Sequence, residues 1–149
     1  MHRAISQSGE NPELHNTLGL IFALLGREGE SRSQFEKALS LDPSNPEALR
    51  NLAFIFHRTG SRADAYTLLI RCFRATPLSV ELRLICGTLL EMDRRMEEAA
   101  ICYREVIDLS TVCEQVQLAS QRLVALGPTA SELDFEQVIE RLRAESEGL

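Results

Sequence analysis

Tryptophan is absent from the 149 residues, lysine occurs once at Lys37, and aromatic residues make up only 5% of the chain. A core built without large rings has to come from Leu, Ile, Val and Ala, which favours many small interdigitating contacts. Five prolines and eight glycines are too few for a collagenous or loop-dominated chain, so they serve as punctuation between regular segments. The excess of acid gives a formal net charge of −6. That speaks against nucleic acid, whose phosphates are met by clustered Lys and Arg. No stretch approaches the roughly 18 apolar residues of a membrane span. Residues Met1 to Gly9 lack the apolar run of a secretory leader, and the cytosol is the expected location.

Chemistry is equally scarce. Cys72, Cys86, Cys102 and Cys113 show no C-x-x-C spacing, and they are expected as small core residues in a reducing compartment. His2, His15 and His57 have no His or Cys three or four residues on, so no metal site is expected. There is no G-x-S-x-G, no Gly-rich phosphate loop and no H-E-x-x-H. Glu97 and Glu98 read as a solvated helix face. No set of groups converges on a water-shielded pocket. No enzyme activity and no cofactor is expected.

What the chain does have is periodicity. Asn11-Pro12-Glu13 returns as Asn45-Pro46-Glu47, Leu18 as Leu52, Phe22 as Phe56 and Pro43 as Pro77, each 34 residues later. A third copy starts near Val80, with Cys86, Gly87 and Leu90 in the places of Leu18, Gly19 and Phe22. Apolar residues recur at helical spacing within each copy, as in Leu18, Ile21, Phe22 and Leu25. Gly19, Ala53 and Gly87 are small enough to let two helices approach closely, and Ala38 and Cys72 do the same on the second helix. Gly26, Gly29 and Gly60 fall where a first helix must stop. Asn45 with Pro46 reads as an N-cap followed by proline at the first helical position.

This pattern resembles the tetratricopeptide repeat over at least residues 12 to 111. The first copy reads His15, Leu18, Gly19, Phe22, Ser31, Phe35, Ala38, Pro43. The second reads Leu49, Leu52, Ala53, Phe56, Ala65, Leu69, Cys72, Pro77. The third reads Arg83, Cys86, Gly87, Leu90, Ala99, Tyr103, Val106, with Thr111 where proline is usual. The resemblance implies an all-α fold, an α-α superhelix of three helical hairpins over 12–45, 46–79 and 80–113. Residues 114–149 continue as a diverged capping hairpin whose last helix opens near Ser131. Ala4-Ile5-Ser6 through Asn11-Pro12-Glu13 aligns with Ala38-Leu39-Ser40 through Asn45-Pro46-Glu47, again 34 residues on, so residues 1–11 read as the tail helix of a preceding half-repeat. The whole, 1–149, is expected to be a single array or part of a longer one.

The family resemblance also places the first helix of each hairpin along a concave groove. It implies partner contact at Asn16, Leu20, Arg50, Asn51, Phe54, Arg58, Leu84 and Thr88. An apolar floor with amide and guanidinium groups suits an extended peptide or an amphipathic helix. In chaperone-binding members a two-carboxylate clamp of Lys, Asn, Asn, Lys and Arg holds an acidic C-terminus. The corresponding positions are Asn16, Leu20, Asn51, Glu81 and Ile85, of which only Asn51 matches, so that partner is not expected. The leading reading is a scaffold or adaptor that binds another protein. Alternatives are the substrate-recruiting region of a larger glycosyl- or sulfotransferase, and a small secretion chaperone. Self-association through the N-terminal half-repeat is a further expectation.

Overall fold

A computed structural model describes residues 10–128 and 132–148. Among them are eight α-helices and no strand. These are α1 (Pro12–Leu24), α2 (Glu28–Leu41), α3 (Pro46–Arg58), α4 (Arg62–Ala75), α5 (Val80–Met92), α6 (Met96–Leu109), α7 (Cys113–Leu126) and α8 (Phe135–Ser146). The packing divides into two compact units, Met1–Ser61 and Arg62–Leu149. The division falls between the two helices of the second copy, not between copies.

The helix starts repeat as the sequence does. The Asn11 side chain accepts the Glu13 N–H, Asn45 accepts that of Ala48, and Ser79 accepts that of Leu82. Each cap satisfies one of the amides that a helix start leaves without a partner. The first helices also end alike, on a residue of positive φ: Gly26 at 74°, Gly60 at 82° and Arg94 at 65°. Gly29, by contrast, lies inside the first turn of α2 and stops nothing.

In the first unit α1 pairs with α2, and α3 packs on α2. The hairpin closes on Gly19, where an added Cβ would lie 2.6 Å from Phe35 Cε1. Phe35 is buried and cannot swing away. Beside it, the buried Ser31 hydroxyl donates to the Gly19 carbonyl at 2.6 Å. Leu14 and Ile21, on α1, are 49% and 46% exposed, whereas their counterparts Ala48, Ile55, Leu82 and Leu89 are buried. The half-repeat expected over 1–11 lies, up to Gly9, outside the described residues.

In the second unit α5 pairs with α6, and Gly87 repeats the contact, with Tyr103 Cε1 2.8 Å from where its Cβ would be. Helix α7 packs on α6. Helix α8 packs against α4 and α6 and does not form with α7 the hairpin expected over 114–149. Its buried residues are Phe135, Val138 and Leu142, and the Phe135 ring meets Phe73 edge-on at 5.5 Å. Its cap is Asp134, in a reciprocal box with Gln137; Ser131 is outside the described residues. A second anchor is ionic. Arg95 Nη1 donates to Glu145 of α8 at 2.7 Å, and its other nitrogens grip Glu98 at 2.9 and 2.6 Å. Glu98 is therefore a buried partner, not the solvated group expected. Burial works against the charge of Arg95, but Glu98 and Glu145 more than reverse this and raise its pKa.

Cys72, Cys86 and Cys102 are buried as expected, and Cys113 is exposed at the start of α7. Burial pushes the Cys72 thiol up to about 11. A thiol so far from ionising acts as a small apolar group.

Arg94 carries a side chain into the left-handed conformation that Gly26 and Gly60 occupy freely, at a cost of roughly 1 kcal/mol. Arg94→Gly relieves it and loses part of the gain to the freer unfolded chain. A net stabilisation of about 0.5 kcal/mol is expected by chemical denaturation. A destabilised variant would contradict it.

Candidate functional site

The surface with most to offer a partner is the face of each first helix that its hairpin does not use. Phe22, Leu18 and Gly19 turn one side of α1 toward α2, which leaves Leu20 on the other side, 46% exposed. One helix on, α3 carries Arg50, Asn51 and Phe54 half-buried and Arg58 exposed. Arg58 Nε lies 2.6 Å from Glu28 Oε1 at the start of α2. Arg58 is exposed and Glu28 partly so, and a surface ion pair of this kind is weak and can be exchanged for another carboxylate.

Asn16 does not join that surface. It is buried, and its Nδ2 donates to Asn45 Oδ1 at 3.0 Å, the same oxygen that caps α3. Its own Oδ1 is buried without a partner. Asn16 therefore ties α1 to the cap of α3, and its amide is spent inside the unit. Sequence periodicity places it correctly on the helix but cannot show that the next cap reaches across to it.

In the second unit α5 presents Leu84 and Thr88, both half-buried, and Met92, 51% exposed. The Thr88 hydroxyl donates to the Leu84 carbonyl at 2.9 Å and lies 3.5 Å from the Tyr103 hydroxyl. Tyr103 donates to Glu91 at 2.9 Å, and Glu91 accepts from Arg122 Nη1 of α7 at 3.3 Å. A polar line thus runs from Thr88 through Tyr103 and Glu91 to Arg122. Burial raises the pKa of Tyr103; Thr88 pulls it down and Glu91 pushes it up, so the hydroxyl stays protonated and donating. Leu118, one turn before Arg122 on α7, is 45% exposed. Glu91, Leu118 and Arg122 extend the face beyond the residues the sequence singled out. The fourth copy has Ser120-Gln121 where Leu-Gly would mark the register, so its outward positions were hard to number.

The two faces offer guanidinium donors, one carboxamide and aliphatic area. Such groups can hold a polypeptide, with no nucleophile and base brought together among them. Among the described residues no three His, Cys, Asp or Glu gather in a metal-binding arrangement. No helix there is long and apolar enough to cross a membrane.

The tetratricopeptide repeat family model matches residues 12–45, the α1–α2 hairpin with the cap of α3. Residues 12–45 are a tetratricopeptide repeat. The fold of the chain is likewise that of tetratricopeptide domains. The first such domain of human RPAP3 is similar at a TM-score of 0.61 and 18% identity, over 92% of this chain and 95% of that one. The first tetratricopeptide domain of Spaghetti (RPAP3), bound to the HSP90 peptide SRMEEVD, gives 0.57 and 19%, over 78% and 94%. Identities this low bear on the fold alone. No curated protein matches the chain.

Proposed function

We propose that this tetratricopeptide chain is a scaffold or adaptor that holds an extended peptide or an amphipathic helix of a partner protein. The reading is carried by one observation. Leu20 on α1 and Met92 on α5 are large apolar residues left about half exposed on first helices whose other faces are consumed in hairpins, and Leu118 on α7, which packs on α6, is exposed to a similar degree. Uncovered apolar side chains rimmed by Arg and amide groups are the composition of an interface core and its rim. Arg50, Asn51, Phe54 and Arg58 supply that rim and part of that core on α3, and Leu84, Thr88 and Arg122 do so in the second unit. A peptide-bound domain of the same fold, that of Spaghetti, supports a protein partner. The partner differs from an acidic C-terminus, because Asn16 and Ile85, two of the five positions a clamp would use, are buried. No catalytic step is assigned to the chain.

Interface anchors of this kind lose about 2 kcal/mol or more when truncated, roughly thirtyfold in affinity. Affinity capture with mass spectrometry should return partners of the native chain that the Arg50→Ala/Phe54→Ala variant fails to hold, with helical circular dichroism unchanged. An identical partner set for both chains would remove α3 from the interface.

A second reading, self-association, is favoured by the exposure of Leu14 and Ile21, whose counterparts in later copies are buried. Light scattering over a concentration series should show dimers that Ile21→Glu abolishes. A monomer at all concentrations would end this reading.

A further inference from the structure

Helix α1 is apolar on nearly every side. No Asp, Glu, Lys or Arg stands between Glu13 and Arg27, and only Asn16 and Gly19 of the helix are buried. Leu24 and Leu25 at its end are 88% and 63% exposed, and Leu14, Leu20 and Ile21 close to half. Apolar surface gathered in this way marks a docking face. The exposed residues are ordered. Leu14, Thr17, Ile21 and Leu24 follow at intervals of three and four, the seam by which one helix pairs lengthwise with another. Thr17 suits such a seam, because its hydroxyl already donates to the Glu13 carbonyl at 2.9 Å.

Charge and area narrow the occupant. The helix carries neither Lys nor Arg and the chain has a net charge of −6, so an anionic membrane surface has nothing here to attract it. A protein seated on this face must be uncharged along about three helical turns. The same face of a second copy meets that condition by construction. The five exposed side chains offer on the order of 500 Å² per copy, so a pair reaches the roughly 1,000 Å² at which a specific interface begins.

We propose that α1 pairs antiparallel with α1 of a second copy, and that the pairing withdraws Leu20 from the partner face. This rests on the self-association reading above, to which it adds a geometry and a consequence. In an antiparallel pair Leu14 lies against Leu24 of the second copy, and Thr17 against its Ile21. Each small threonine then meets a large side chain, whereas a parallel pair sets the two threonines against each other. Opposed directions also bring the positive end of each helix beside the negative end of the other. The two-fold axis crosses near Leu20, which is covered by its own twin. Leu20 is the residue by which α1 joins the partner face, so a dimer offers less of that face than a monomer does.

The test uses the whole chain with Cys113→Ser, since Cys113 is exposed and the other three cysteines are buried. Chains carrying Leu14→Cys and Leu24→Cys are mixed and treated with a short bismaleimide. An antiparallel pair joins one variant to the other and neither to itself, because like positions lie about 15 Å apart along the seam. Cross-links within each variant alone show a parallel pair; they overturn the geometry and leave self-association standing. A native chain that dimerises while neither position cross-links has its contact elsewhere, which overturns the proposal. One that stays monomeric at every concentration removes the self-association reading itself and gives the face to another occupant, residues 1–9 or a different protein. In light scattering Ile21→Glu should weaken the dimer at least about thirtyfold, as loss of a central anchor does. The consequence for Leu20 is read from Leu20→Cys, whose alkylation by iodoacetamide should slow about tenfold on dimerisation as the thiol is covered. An unchanged rate leaves position 20 on the partner face and overturns that part.

Discussion

The first and third hairpins depend on an aromatic ring occupying the place of a missing Cβ. Phe35 lies over Gly19 and Tyr103 over Gly87, in each case closer than any side chain on the glycine would permit. The contact draws the two helices of a hairpin together, and dispersion over so short a distance adds to the burial of the ring. It also fixes which side of the first helix is spent. Once Leu18, Gly19 and Phe22 face α2, the residues between them must face outward. The partner face of α1 is thus a consequence of how the hairpin closes. The same reasoning applies to α5, where the ring of Tyr103 does a second service. Its hydroxyl reaches past the glycine to Glu91 and so orders the polar line that ends at Arg122.

Much of this was legible from spacing alone. A cap residue needs only its own side chain and the next few amides, so Asn45 declares itself locally, and Asn11 and Ser79 cap their helices in the same way. Gly26 and Gly60 do likewise for the turn that ends a first helix. Arg94 gives no such signal, because the third copy adopts the same backbone without glycine. Ser131 reads from the sequence as the start of the last helix, whereas Asp134, with Gln137 three residues on, has the reciprocal cap. In each case the geometry repeated while the residue type did not.

The parts that could not be read are those where one segment chooses among distant partners. The stripe of Phe135, Val138 and Leu142 shows that α8 must bury one face, but it is silent about where. It packs on α4 and α6 because Phe135 finds Phe73 on α4, with Arg83 of α5 over its ring, and Glu145 finds Arg95 at the start of α6. Asn16 likewise stands at a partner-facing position in the sequence, but the cap of α3 holds its amide. Long-range hydrogen bonds and ion pairs decide such placements, and a single sequence does not display them. The same uncertainty in the fourth copy hid Leu118 and Arg122, which complete the outward face of the second unit.

The claim that ring and glycine together set the hairpin is tested most directly by a double-mutant cycle on Gly19 and Phe35, followed by urea denaturation. Gly19→Ala alone should lose about 1–3 kcal/mol, as overpacked core sites do. In the Phe35→Leu background the added methyl has space, so its cost should fall and leave a coupling of at least about 0.5 kcal/mol. Strictly additive losses, or a Gly19→Ala chain as stable as the native one, would show that the two helices are held together by something else.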